Sequence, residues 1–153
     1  MTLKRGGGTV KISTTRFGEI DIEENKIISF PMGIPGFPHL KRYVLLDYKD
    51  PIKWLHAVDD PDIAFIVTEP FGLFPDYSLT VEDDVEEFLE IKDLADTAIL
   101  VILNVADNRL NANLKAPIIV NSSKLKATQI ILEDDRYSFR VPVPAFSKEA
   151  EKA

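Results

Sequence analysis

Apolar and polar residues alternate one for one along much of this chain, as in Val10-Lys-Ile12-Ser, Ile20-Asp-Ile22-Glu and Tyr137-Ser-Phe139-Arg-Val141-Pro-Val143. A side-chain period of two places every second residue on one face of an extended backbone, so these runs read as half-buried β-strands. Other runs are continuously apolar and rich in β-branched residues: Tyr43 to Leu46, Ala64 to Val67, Ala98 to Leu103, Ile118 to Val120 and Ile130 to Leu132. Strands of that composition are covered on both faces and belong at the centre of a sheet. Turn-forming clusters separate them, at Glu23 to Lys26, Asp59 to Asp62, Asp107 to Arg109 and Glu133 to Arg136.

One segment has a helical period instead, with Val81, Val85, Phe88 and Leu89 on a common face, Thr80 as the expected N-cap and Asp83 in the capping-box position. The expected fold is therefore mainly β: a single β-barrel-like domain of short antiparallel or mixed strands with one short helix. The domain is expected to span residues 9–146, with 1–8 and 147–153 as flexible tails of glycine, charge and small residues.

With 153 residues the chain fits one domain that needs no covalent staple. It has no cysteine, which excludes disulfides, thiolate metal sites and thiol chemistry. Basic residues near Met1 are followed by no apolar stretch, and the run Ala98 to Leu103 is far short of the ~20 apolar residues of a spanning helix. The expected protein is soluble and cytoplasmic, with no membrane association. Eighteen Lys and Arg against 25 Asp and Glu leave a formal charge of −7. That charge opposes direct nucleic-acid binding, whose affinity comes largely from cations on phosphate.

Three stretches are distinctive. Phe30-Pro-Met-Gly-Ile-Pro-Gly-Phe37 interleaves two glycines and two prolines with large apolar residues, which excludes both a regular helix and a central strand. Gly33 and Gly36 would permit positive φ, Pro31 and Pro35 would stiffen the path, and Phe30 and Phe37 would pin the loop to the core. Trp54 to Pro70 reads as strand, acidic turn and strand, with Asp59, Asp60 and Asp62 on the turn and Glu69 beyond it. Those carboxylates lack the one-three-five spacing and glycine of a calcium loop, so no metal is expected. Asn113-Leu-Lys-Ala-Pro-Ile-Ile-Val-Asn121 is a strand with Pro117 at its entry and an asparagine at each end to satisfy backbone groups.

Together these stretches resemble the FliW family. That family's pattern has an FPxGIPGF-like segment, a WLQSVDDPDLAF-like segment, a Pro-Asp-Tyr, an NLxAPIVIN-like strand and a Gln-led apolar strand. Here the counterparts are Phe30 to Phe37, Trp54 to Phe65, Pro75-Asp76-Tyr77, Asn113 to Asn121 and Gln129-Ile-Ile-Leu132, in the same order. His56-Ala57 departs from the family's Gln-Ser, and His56 reads as a satisfied strand histidine. The resemblance implies a non-enzymatic, cofactor-free cytoplasmic protein that binds flagellin as a chaperone and sequesters CsrA, a basic RNA-binding repressor of flagellin synthesis. Asp59, Asp60, Asp62 and Glu69 are the candidate partner-steering residues.

Two other readings compete. A hydrolase would have to use Asp59, Asp60 or His56, yet no Ser or Cys is paired with a base, and the aspartates share one turn instead of facing each other across a cleft. An RNA-binding barrel would need a Lys/Arg stripe beside its aromatic residues, and none is present.

Overall fold

The computed structural model describes residues 8–144. It begins with a hairpin of β1 (Thr9–Thr14) and β2 (Gly18–Glu23), followed by a single 3₁₀ turn (Glu24–Lys26) and β3 (Ile28–Ser29). A meander of β4 (Arg42–Asp47), β5 (Lys53–Ala57) and β6 (Ala64–Thr68) comes next. Then follow the short helix α1 (Asp83–Phe88), a second 3₁₀ turn (Leu94–Asp96) and the long strand β7 (Thr97–Ala106). The chain finishes with β8 (Arg109–Ala112), β9 (Ile118–Asn121), β10 (Lys126–Gln129) and β11 (Val141–Pro142).

Apart from the first hairpin, the strands form one nine-stranded sheet in the order β11-β8-β7-β6-β5-β4-β3-β10-β9. Thr97 to Leu100 of β7 also pair antiparallel with Ile118 to Asn121, so β9 returns to β7 and the sheet closes into a barrel-like ring. Every pairing is antiparallel except the single bridge between β10 and β3, Lys126 with Ser29. The mainly β, mixed-sheet fold with one short helix is as expected from the sequence.

Register decides which residues fill the ring. Tyr43 faces Ala57 and Leu45 faces Leu55 on one side of β4 and β5, while Val44 faces His56 and Leu46 faces Trp54 on the other. The first set joins Phe30, Ile34, Leu100, Ile118, Val120 and Ala127 in the main core. Of the second set, Val44 and Leu46 pack under the inward residues of the first hairpin, Ile12 and Ile22, with Val10 and Ile20 beside them. A third core lies on the far face of β7, where Val101 and Leu103 meet Tyr77, Ala112, Leu114 and Val143. Adjacent residues of β7 thus serve different cores, which is why Ala98 to Leu103 is apolar throughout.

Three expectations require correction. Ile130 to Leu132 is not a central strand: β10 ends at Gln129, and Ile131 is 68% exposed. The alternating run Tyr137 to Val143 yields only the two-residue β11, because Tyr137 packs laterally on Tyr77, with centroids 4.7 Å apart, instead of continuing a ladder. Thr80 does not cap α1, whose N-cap is Glu82 with no side-chain cap bond; Thr80 and Val81 precede the helix in extended chain. Of the expected N-terminal tail, Gly8 is described, and its carbonyl accepts the Glu24 N–H at 3.0 Å. The remaining expected tail residues, 1–7 and 147–153, lie outside the described residues, as do 145 and 146.

The Phe30 to Phe37 loop has the expected construction. Phe30 is fully buried and meets Tyr43 edge-on at 5.0 Å, and Ile34 is buried beside it. The N–H of Gly33 donates to Phe30 O at 2.8 Å and that of Phe37 to Ile34 O at 2.7 Å, two tight turns in succession. They require φ of +70° at Gly33 and +94° at Gly36. At Gly33 a Cβ would also lie 2.6 Å from Pro38 Cα, whereas at Gly36 it would meet open space. Gly33→Val is therefore expected to destabilise by several kcal/mol, on the order of 3, and Gly36→Val by only about 1–2. Urea denaturation of both variants checks the order. Equal losses would show that strain alone operates and that Pro38 yields.

Candidate functional site

The acidic turn between β5 and β6 is built into the fold more tightly than its composition suggests. Arg42, at the start of β4, reaches Asp59 with two hydrogen bonds, Nε to Oδ2 at 3.1 Å and Nη2 to Oδ1 at 2.7 Å. This fork holds the Asp59 carboxyl pKa below the usual carboxylate range, chiefly through the hydrogen bond, against an opposing effect of burial that outweighs the direct charge attraction of Arg42. Asp60 Oδ1 accepts the Asp62 N–H at 2.9 Å, an Asx turn. Asp62 accepts the Thr15 hydroxyl, and the Thr15 N–H donates to Pro61 O at 2.8 Å, which ties the turn to the tip of the first hairpin. Glu69 is exposed just past β6, its charge acting on Lys53 across the β5–β6 pair. The structure thus gathers Asp59, Asp60 and Asp62 on one turn and sets Glu69 apart, at the other end of β6.

The hairpin tip also brings together aromatic residues. Arg16 lies 4.5 Å above the Trp54 ring, Phe17 meets Trp54 edge-on at 6.4 Å and Tyr48 does so at 6.1 Å. Phe17 and Tyr48 are 43% and 55% exposed, so this patch of three rings and one guanidinium faces solvent while its base rests on β5. Trp, Tyr and Arg are the residue types that carry most binding energy in protein interfaces. Trp54 was legible in the sequence as a motif residue. Its partners were not, because Arg16 and Phe17 lie far from it in the chain and none of Arg16, Phe17 and Tyr48 carries a pattern of its own.

The other motif residues have duties inside the fold. Asn121, 2% exposed, donates from Nδ2 to Leu89 O at 2.8 Å and Glu90 O at 3.1 Å and accepts the Ser123 and Lys124 N–H groups on Oδ1. It closes off the end of α1 and the turn after β9 together. Asn113 Oδ1 accepts the Ala116 N–H at 3.0 Å, one residue before Pro117 and the start of β9. Gln129 donates to Ala116 O at 2.9 Å, and Tyr77 donates its hydroxyl to Leu114 O at 2.8 Å. Burial pushes up the pKa of both buried tyrosines, Tyr43 to about 12 and Tyr77 further, so both remain neutral phenols.

His56 corrects the expectation of a satisfied strand histidine. It is fully buried, its Nδ1 donates to Ala57 O at 2.7 Å, and its Nε2 has no partner among the described residues. In a neutral ring this leaves Nε2 a buried acceptor. A histidine so placed is closed to any substrate. The strongest concentration of acid lies around α1, where the carboxylates of the first turn complement the positive end of the helix dipole. Eight carboxylates fall between Glu82 and Asp96, and the recorded ion pair among them is Glu90 with Lys126 at 3.5 Å. Among the described residues no group of three or more His, Cys, Asp and Glu is placed to hold a metal ion, and no helix is long and apolar enough to cross a membrane.

Comparison with known proteins gives one consistent result. The family model described as FliW protein matches residues 11–143. A protein from Syntrophus aciditrophicus strain SB named flagellar assembly factor FliW is 46% identical over 138 residues, covering 88% of this chain and 87% of its own. A protein of the same name from Caldanaerobacter subterraneus subsp. tengcongensis is 36% identical over 139 residues, covering 88% and 93%. A crystal structure of the flagellar assembly factor FliW superposes with a TM-score of 0.83 at 39% identity, covering 89% of this chain and 99% of that one.

Because the Asp59 carboxyl is more acidic in the folded chain than in the unfolded one, its contribution to stability is full above the ordinary value near about 4 and is lost as pH falls through the lower folded value. Both partners are about half exposed, so the pair is worth less than about 1 kcal/mol. Asp59→Asn should lower stability by roughly 0.5 kcal/mol at neutral pH, with the difference closing in acid once the pH falls through the lowered folded value. Urea melts of parent and variant across that range measure it. A difference independent of pH would mean that the pair does not set the acidity of Asp59.

Proposed function

The chain belongs to the FliW family, and from that premise we propose that it is a non-enzymatic cytoplasmic assembly factor that binds flagellin as a chaperone and sequesters the translational repressor CsrA. The observation that carries this reading is the family match across residues 11–143 together with the overlay of 89% of the chain on a FliW crystal structure. The site chemistry supports it. His56 is enclosed, and Asp59 and Asp62 are engaged by Arg42 and Thr15, so the groups a hydrolase would need are occupied in holding the fold. The formal charge of −7 favours a basic protein partner over an RNA.

Flagellin's end segments are helical and apolar in the filament and need a cover before export. The exposed rings of Phe17, Tyr48 and Trp54 offer an apolar surface of the kind such a segment buries. A flagellin lacking both end regions should lose most of its affinity in a pulldown with purified protein. Full affinity for the truncated flagellin would overturn the chaperone reading.

For CsrA, the mechanism that fits is docking through an apolar patch with nearby acids steering the approach and repelling phosphate. An acidic mimic of RNA would need carboxylates along an extended strip, whereas here they are concentrated in short turns and at the start of α1. Neutralising Asp59, Asp60 and Asp62 to asparagine should slow CsrA association and weaken its salt dependence while largely preserving the off-rate. Stopped-flow association at low and high salt reads both. Unchanged kinetics would remove this turn from the steering element and direct attention to the carboxylates around α1.

A further inference from the structure

Beyond Gln129 the chain keeps a strand's hydrogen bonding without being enclosed. The N–H of Ile130 donates to Pro117 O at 3.0 Å and that of Leu132 to Lys115 O at 2.8 Å, which prolongs the β10–β9 ladder. In extended backbone successive N–H groups point to opposite edges, so Ile131 and Glu133 turn theirs away from that ladder. Neither has a partner among the described residues. Opposite runs Ser78 to Glu82, anchored by the Ser78 N–H donating to the Tyr137 hydroxyl at 2.9 Å. The N–H groups of Leu79, Thr80 and Val81 also have no partner among the described residues.

A groove of about 580 Å³ lies between the two segments, within the roughly 300–1,000 Å³ of ordinary ligand clefts. Ile131, 68% exposed, supplies an apolar contact on its rim. Glu82, Asp84 and Glu133 line the groove, and Arg136, the lining cation, is held by Asp134 at 2.7 Å. The groove is therefore negative. Free sheet edges are ordinarily blocked by proline, lysine or a covering element; this one has none of them among the described residues.

We propose that this groove is a docking site for an extended peptide segment of alternating apolar and basic residues, taken up by strand addition along the Ile131 edge. The Ile131 and Glu133 N–H groups donate to peptide carbonyls and the carbonyls of the same two residues, on the same edge, accept peptide N–H groups; the peptide's apolar side chains rest on the Leu132 face, and its cations lie on the Ile131 and Glu133 face, their stems over Ile131 and their charges towards Glu133, Glu82 and Asp84. The proposal goes beyond the flagellar reading, since neither the acidic turn nor the aromatic patch contributes to it.

The test is fluorescence anisotropy with a short labelled peptide of alternating lysine and valine, compared with a glutamate–valine peptide and with the lysine–valine peptide N-methylated along its backbone. The lysine–valine peptide should bind saturably and more weakly at high salt, and the other two poorly. E82K/D84K should weaken it by roughly tenfold or more. I131P should do the same, because proline removes the outward N–H and leaves the Ile130 and Leu132 bonds intact. If I131P does not fold by circular dichroism, E82K/D84K and the N-methylated peptide decide the matter. Three results would overturn the proposal: equal binding of the N-methylated peptide, which means charge attraction alone; unchanged affinity in the variants; or self-association of the free protein in sedimentation velocity that E82K/D84K abolishes, which means that a second copy is the occupant.

Discussion

Pairing of the first half of β7 with β9 is the contact on which the remainder of this fold rests. Thr97 to Leu100 bond to Asn121 through Ile118, while later residues of the same strand bond to β6 on one side and β8 on the other. A ten-residue strand is long enough to serve all three neighbours. Without the β9 contact the sheet would end in two exposed edges, the kind of surface that recruits other chains. Closure instead encloses Phe30, Tyr43, Leu55 and Ile118, each essentially inaccessible to solvent. Asn121 joins this seam to α1 by bonding the last carbonyls of the helix region, so the end of the helix is anchored on the seam.

Elements whose pattern reported a local property were legible in the sequence. The Gly33 and Gly36 turns follow from steric rules that act within a few residues, and both glycines do adopt positive φ. Pro117 sits one residue before β9, and the alternation in β1 and β2 matches a hairpin with one covered face. Where the pattern misled, a distant contact had taken the residue over. Ile130 to Leu132 has the composition of a central strand, yet its second neighbour is absent because β3 is only two residues long and is spent on Ser29 and Lys126. Tyr137 alternates like a strand residue but is drawn sideways by Tyr77. The capping signal at Thr80 fails because the backbone stays extended for two more residues.

The candidate site was less legible than the fold, and the reason is physical. Residues that make the sequence recognisable are those with obligatory geometry: Gly33 in its turn, Asn113 and Asn121 on backbone groups, Tyr77 and Gln129 on carbonyls. Such residues are buried or bonded and present little to a partner. The exposed aromatic patch is assembled from three separate segments, and only Trp54 among its members lies in a recognisable stretch. Departure from the family's glutamine at His56 changes an enclosed residue, so its effect on a partner would pass through the packing around it and not through direct contact.

Charge and apolar surface consequently have separate tasks in this molecule. A carboxylate forked by arginine, as Asp59 is by Arg42, contributes little net field at a distance, because the pair is nearly neutral beyond a few ångströms. Asp60 and Asp62 keep their charge, and the eight carboxylates between Glu82 and Asp96 keep nearly all of theirs. Attraction of a basic partner is thus a property of the whole acidic surface, acting on the rate of encounter at low salt. Where the partner comes to rest is decided at short range, by which exposed apolar groups it can cover and which unpaired backbone donors it can satisfy. On this surface the rings around Trp54 and the open edge at Ile131 are the places where those two conditions are met, and they are built from different segments of the chain.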